Sequence, residues 1–264
     1  MIVDIVVDQS FDHHVSHAHA LRLGFEAHGV ASRIVDIPRQ PESDVVACWG
    51  WRIAAPLVAA GKRVLVMEHG YIGDRKVWMS LGWNGLNCRA RFAPAADSKR
   101  FDKHHDHLYQ QWNPQGDYSL LIGQVDGDAS LMNMPFQPWA VRMAYRMQKE
   151  FGLPVKFRPH PVALEFGQNY VVGCAERIFG TLKDAMQGAA VVVTFNSNAA
   201  TEAMLAGKPT VTLDAGAIAY PVAAHDFTIQ SEPDRLPWAR EVAWRQFTMD
   251  EIRSGFAWEH VRNG

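Results

Sequence analysis

Apolar positions along the chain alternate between two patterns, short continuous runs and stretches where they recur three and four residues apart. Residues 2–7 form the first continuous run and predict a buried strand. Residues 16–28 then place Ala18, Leu21 and Phe25 on one side of a helix that Gly29 closes. Residues 32–35 and 45–49 read as strands, 53–60 as a helix ending at Gly61, and 63–67 as another buried strand. Strands alternating with helices predict a parallel sheet with crossover connections, its functional groups gathered beyond the carboxyl ends of the strands.

Residues 68–117 break this rhythm. Glu68-His69-Gly70-Tyr71-Ile72-Gly73-Asp74-Arg75 and Trp83-Asn84-Gly85-Leu86-Asn87 are rich in glycine, asparagine and aromatics. A loop this long in a compact domain is functional or disordered, and five tryptophans between positions 49 and 112 argue against disorder. Asn113-Pro114-Gln115-Gly116 reads as a turn or linker. The alternation then resumes, with strands at 118–123, 155–157 and 191–194 and helices at 138–151 and 175–187. Two short helical patterns, at 236–247 and 249–261, end the sequence. The expected fold class is α/β, with two facing Rossmann-like domains, at 1–113 and 114–235. The helices of 236–264 are expected to pack back on the first domain.

Apolar residues make up 48% of the 264, enough for a large core in one or two domains. The net charge of −2 gives no global attraction to nucleic acid. Charge is concentrated locally at Arg89, Arg91, Lys99, Arg100 and Lys103, beside His104, His105 and His107. Asp97, Asp102 and Asp106 balance it, so a solvated loop is the plain reading and a phosphate-contacting loop the sharper one. Cys48, Cys88 and Cys174 are odd in number and far apart, which suits a reducing compartment rather than a disulfide or zinc framework. The first apolar run contains Asp4 and lacks a basic flank, so it reads as a strand and not a signal peptide. With no apolar run of membrane-spanning length, the expected location is cytoplasmic.

The second half carries the strongest local pattern. An apolar run, Val191-Val192-Val193-Thr194, leads through Phe195-Asn196-Ser197-Asn198 into a helix and then Gly207-Lys208-Pro209. Ser197 or Asn198 is placed to cap that helix, whose first free N–H groups suit an anion such as phosphate.

Together with Leu121-Ile122-Gly123-Gln124-Val125-Asp126-Gly127-Asp128-Ala129-Ser130 and Arg158-Pro159-His160-Pro161, this run resembles the capsule-polysaccharide synthesis glycosyltransferases, a group that includes the bacterial Kdo transferases. The similarity covers residues 118–215. It implies the GT-B architecture and transfer of a sugar from a nucleotide-activated donor. By that resemblance His160 contacts the donor phosphate, and Ser197 with Asn198 supplies the turn that faces it. Gln124, Asp128 and Ser130 line the same opening, and Asn196 belongs to the turn. The first half departs from the capsule enzymes. There, Trp78-Met79-Ser80-Leu81-Gly82-Trp83-Asn84-Gly85-Leu86-Asn87 is more similar to predicted glycosyltransferases encoded by phages. That similarity implies a hydroxymethylated pyrimidine of phage DNA as one acceptor and host cytoplasm as the location. A saccharide is the other acceptor. A sugar-nucleotide epimerase or a non-catalytic nucleotide-binding module are the competing readings.

Glycosyl transfer builds negative charge on the leaving phosphate, which Arg158, His160 and Lys208 are expected to neutralise. Glu202, one turn into the helix, either accepts two ribose hydroxyls or complements the helix dipole. An acceptor hydroxyl needs a base. Glu68 at the end of a buried strand is the first candidate, with neighbouring His69 and Asp74 beside it. His13 and His17 stand four apart, a spacing that brings two imidazoles together on a helix, but no matching ligand set appears elsewhere and no metal is expected. His13, Trp49, Trp83 and Asn84 are the expected acceptor contacts, the tryptophans by stacking on a sugar or base.

Overall fold

The computed structural model describes residues 2–264. The chain divides into two compact units, one running up to His105 and resuming at Arg240–Gly264, the other Asp106–Ala239. In chain order the first contains β1 (Ile2–Val7), α1 (Asp12–Glu26), β2 (Ala31–Asp36), β3 (Val45–Trp49), α2 (Trp51–Ala59), β4 (Arg63–His69), β5 (Trp78–Trp83) and α3 (Lys99–His104). The second contains β6 (Tyr118–Ile122), α4 (Phe136–Phe151), β7 (Val155–Arg158), α5 (Pro161–Glu165), β8 (Glu176–Arg177), α6 (Leu182–Gln187), β9 (Ala189–Thr194), α7 (Ala199–Leu205) and β10 (Thr210–Thr212). The division falls within α8 (Leu236–Ala243), after which β11 (Gln246–Thr248), α9 (Met249–Arg253) and α10 (Phe256–Val261) complete the first unit.

The first sheet has the order β11-β5-β4-β3-β1-β2. Strands β1 to β4 are parallel, and β5 is antiparallel to both of its neighbours. Because β1 lies between β2 and β3, the winding reverses there, and the β1/β3 edge is the topological switch point where such sheets take ligands. Alternation along the strands sends Val3, Ile5 and Val7 to a core shared with α1, α9 and α10. Val6, Val46 and Cys48 go to the opposite face, under α2. Residues 249–261 lie against α1 in this unit, with Trp258 edge-on to Phe25 at 4.8 Å. Gly24 permits that approach, since a Cβ there would strike the Ile252 carbonyl.

Asp4, the acid inside the first apolar run, is fully buried and accepts from Arg33 Nε at 2.6 Å and Ser43 N at 2.8 Å. Burial opposes its charge, yet these partners outweigh that and hold the carboxyl below its ordinary pKa. Two differences from the sequence reading matter for the site. Helix α1 begins at Asp12 rather than 16, which brings His13, His14 and His17 onto its first turns. Residues 78–83, read as loop, are a fully buried strand, because every residue from Trp78 to Trp83 finds cover between β4 and β11.

The second sheet is wholly parallel, in the order β10-β9-β6-β7-β8. Its first strand, β6, lies between β7 and β9, so this switch point is the β6/β9 edge. One face buries Leu121, Phe157, Val191 and Val193 with Phe136, Trp139 and Ala140 of α4. Leu120, Ile122 and Val192 pack on the other with Ala185, Met186 and Ala203 of α6 and α7. The expected helix over 175–187 is the short strand β8 followed by α6, whose start Thr181 caps by accepting from Asp184 N at 3.1 Å.

Candidate active site

In the second unit, strands β6, β7 and β9 end side by side, and the residues just past them lie along one edge. Gly123 N–H donates to the Arg158 carbonyl at 2.8 Å. A Cβ at Gly123 would lie 2.8 Å from His160 N and 2.9 Å from Pro159 Cα, so only glycine allows the Arg-Pro-His-Pro segment to cross here. His160 sits at the start of α5, its Nδ1 accepting from Val162 N at 3.2 Å. That bond requires an unprotonated Nδ1, which makes Nε2 the N–H donor of the neutral ring. The Arg158 guanidinium donates to the Gly180 carbonyl at 3.2 and 3.0 Å. Burial lowers the Arg158 pKa, and the Glu202 carboxylate of α7 acts in the other direction.

The switch point itself is closed by side-chain amides. Gln124 Oε1 accepts from Thr194 Oγ1 at 3.2 Å and Asn196 N at 3.1 Å, while its Nε2 donates to Asn196 Oδ1 at 2.9 Å. Asn196 Nδ2 donates to the Ser130 carbonyl at 2.7 Å and to Asp214 Oδ1 at 2.9 Å. Both amides are buried and hold strand ends together. Ser130 N and Oγ in turn donate to Asp128 Oδ1, at 2.8 and 2.6 Å. Ser197 N–H donates to Thr194 Oγ1 and Ser197 Oγ accepts from Ala199 N, each at 3.2 Å, so Ser197 tightens the entry to α7. Asn198 is the residue at the helix boundary, with α-helical backbone angles and no side-chain cap bond. Lys208 corrects the sequence reading. It lies before β10, at the opposite edge of the sheet, buried with Nζ donating to the Gln115 and Gln187 carbonyls at 3.3 and 3.4 Å. Asp214, which no motif had singled out, joins this edge because β10 runs beside β9.

In the first unit, the carboxyl ends of β1, β3 and β4 meet around Trp49. His17 stacks flat on its indole, centroids 4.4 Å apart and planes 7° apart. His13 and His69 stand edge-on to it at 5.5 and 5.1 Å. His14 lies 6.2 Å from it. His69 Nδ1 is 2.9 Å from the Arg75 carbonyl, so Nδ1 carries the proton and donates, leaving Nε2 with the lone pair. Burial, with the nearby Arg75 and His13, lowers the His69 pKa. Burial likewise lowers His14, and it takes His17 down to about 4 with help from His13, His69 and His14. These rings are neutral near pH 7.

Glu68 Oε1 accepts from Trp51 N, the first residue of α2, at 3.1 Å. Its carboxylate thus serves the start of that helix. Asp74 is exposed and accepts from Lys76 N at 2.8 Å, shaping the turn before β5. Trp83 and Asn84 are not brought to this cluster. Because β5 runs antiparallel to β4, Trp83 pairs with Leu65 near the amino end of β4. Trp83 is buried, with Nε1 donating to the Val261 carbonyl at 2.7 Å, and Asn84 Oδ1 accepts from Val64 N at 2.7 Å. Within the basic segment, Arg100 and His105 are buried. Arg100 donates to both Glu251 oxygens, at 2.7 and 2.6 Å, and to the Ala243 and Gln246 carbonyls. Among the described residues, no group of three or more His, Cys, Asp or Glu side chains is arranged to hold a metal ion, and no helix is long and apolar enough to cross a membrane.

No family model matches the chain, and no curated protein matches it. Solved structures do. Over 96% of this chain and 98% of the other, it is similar to the beta Kdo 2,4 transferase of Thermosulfurimonas dismutans KpsC, with TM-score 0.63 and 15% identity. The beta Kdo 2,7 transferase of the same KpsC matches over 97% and 99%, with TM-score 0.60 and 14% identity. The chain therefore has the fold of capsule-type transferases, the GT-B architecture with two Rossmann-like domains, and at this identity the likeness concerns the fold alone.

Proposed function

We propose that the protein is a glycosyltransferase that takes its sugar from a nucleotide-activated donor held at the β6/β7/β9 edge of the second unit. The observation that carries this reading is the close crossing of the Arg158–Pro161 segment over Gly123, beside the Gln124–Asn196 latch. The Nε2–H of His160 and the Arg158 guanidinium offer donors and charge to the leaving phosphate. Gln124 and Asn196 act as positioning residues. Asp128, Ser130, Ser197 and Asn198 shape the edge, and Glu202 is the carboxylate assigned to the ribose hydroxyls.

The acceptor binds at the Trp49 end of the first unit, where His13 and His69 gather. There His69 takes the proton of the acceptor hydroxyl on Nε2, held in orientation by its bond to Arg75. The acceptor oxygen forms its bond to the anomeric carbon as the carbon–phosphate oxygen bond breaks, and the electron pair leaves on the phosphate. Glu68 is the alternative base, already engaged with Trp51 N, and Asp74 the more remote one. No metal is required, since fixed cations and dipoles neutralise the phosphate. A saccharide suits this reading best. A hydroxymethylated pyrimidine in DNA is the narrower version, weakened by the inward placement of Arg100 and His105.

Turnover of a panel of CMP-, UDP- and GDP-sugars, with mass detection on oligosaccharides and on hydroxymethylated DNA, tests the proposal. One donor is expected to bind calorimetrically and turn over. Failure of every donor to bind refutes it. His69→Asn is expected to abolish transfer and preserve donor affinity. Glu68→Gln keeps an acceptor for Trp51 N, so loss of transfer in that variant beside an active His69→Asn would move the base to Glu68.

A further inference from the structure

Helix α1 brings three imidazoles to the β1/β3 switch point, and their packing is not that of ordinary core histidines. His17 is 8% exposed, yet its Nδ1 is sealed from solvent without a hydrogen-bond partner, and the half-buried His14 has the same unpartnered Nδ1. A phenylalanine would cover Trp49 as well without leaving a polar atom unmatched, so packing does not account for the imidazoles. In each ring the other nitrogen, Nε2, is the one left to meet a partner from outside. The amino end of α1 adds to this, since Phe11 supplies no side-chain cap to a helix of 15 residues.

The rings are also set at steep angles. His13 lies 87° from His14 at 4.5 Å, and 76° from His17 at 6.0 Å. Nitrogens carried on rings in different planes can approach one ligand from several sides, whereas the two oxygens of a carboxylate lie in one plane. Such nitrogens match the oxygens of a tetrahedral anion, which point out of any one plane.

The geometry points to a phosphate group carried by the acceptor as the ligand of His13, His14 and His17, at the switch point of the first unit. The inference rests on the acceptor reading above and deepens it by naming the acceptor's chemistry. The neutral rings of His14 and His17 meet the phosphate through Nε2–H, since a second proton on the sealed Nδ1 would find no acceptor. The groups facing these rings are Asp8 toward His14, His69 across Trp49, and Arg75 beside His69. Asp8 opposes an anion, and its carboxylate is partly engaged by Ser10 N at 3.0 Å.

The test is calorimetric titration of the full chain with inorganic phosphate at pH 6 and pH 7.5. Saturable binding at both is expected. His13→Asn, at an exposed position that puts folding at little risk, and His17→Phe, which keeps the stack, should each weaken it about tenfold. No saturable binding at pH 6 overturns the inference, as does binding that both variants leave unchanged. Equal affinity for a sugar carboxylate overturns it too, and so does zinc binding through these imidazoles that excludes phosphate. A hexose 6-phosphate and a short oligonucleotide distinguish the source of the phosphate. Tighter binding of the first assigns a phosphorylated sugar, and of the second a nucleic-acid backbone. Donor turnover is measured in parallel. Phosphate binding without any donor binding would sink glycosyl transfer and leave the anion site standing. The reverse would sink only the site.

Discussion

Replacing His17 with phenylalanine should make the protein less sensitive to acid. In the folded chain the His17 pKa is taken down to about 4 by burial against Trp49 and by the neighbouring imidazoles, from an ordinary value of 6.5. The sign follows from the direction of that shift. Between pH 6.5 and 4 the unfolded chain binds a proton at this position and the folded chain does not, so stability is full above 6.5 and falls as pH drops toward 4. Between pH 7.5 and pH 5 the linkage comes to about 2 kcal/mol for this one ring. Phenylalanine preserves the flat stack and removes the titration. Urea unfolding of both proteins at pH 7.5 and pH 5 gives the comparison, and the wild-type gap should exceed the variant's by about 2 kcal/mol. His14 and His69 also have lowered pKa values and contribute to the gap in both proteins. An identical gap in the two would show that His17 titrates normally and that the cluster is open to water, contrary to the packing described.

Gly123→Ala should destabilise the second unit by about 1–3 kcal/mol and weaken donor binding, because its Cβ would press on the His160 and Pro159 backbone. Thermal unfolding and donor calorimetry measure the two effects, and unaltered donor affinity would separate the crossing from the site. Arg100→Met leaves the Glu251 carboxylate without its paired donors and should cost about 3 kcal/mol in urea unfolding. A loss within a few tenths of a kcal/mol would make that pair incidental.

Much of this protein was legible from residue order. The two rounds of strand–helix alternation, the strand-end position of His69, and the residues following β6, β7 and β9 all follow from local periodicity, because a parallel sheet sends strand ends to one edge whatever the details. The Arg-Pro-His-Pro and Asn-Ser-Asn runs fall on that edge for the same reason. Trp83 and Asn84 could not be placed in this way, since an antiparallel β5 reverses the direction in which a neighbouring loop returns. Nor was the fate of polar side chains readable. Gln124, Asn196, Arg100 and Lys208 look available in a linear string, yet each is consumed by partners between 18 and 151 positions away. His17 shows the converse. Its spacing from His13 was visible in the sequence, but only the fold laid it on Trp49, because the indole comes from β3 and the imidazole from α1, elements joined at a switch point that strand order creates and local pattern does not encode.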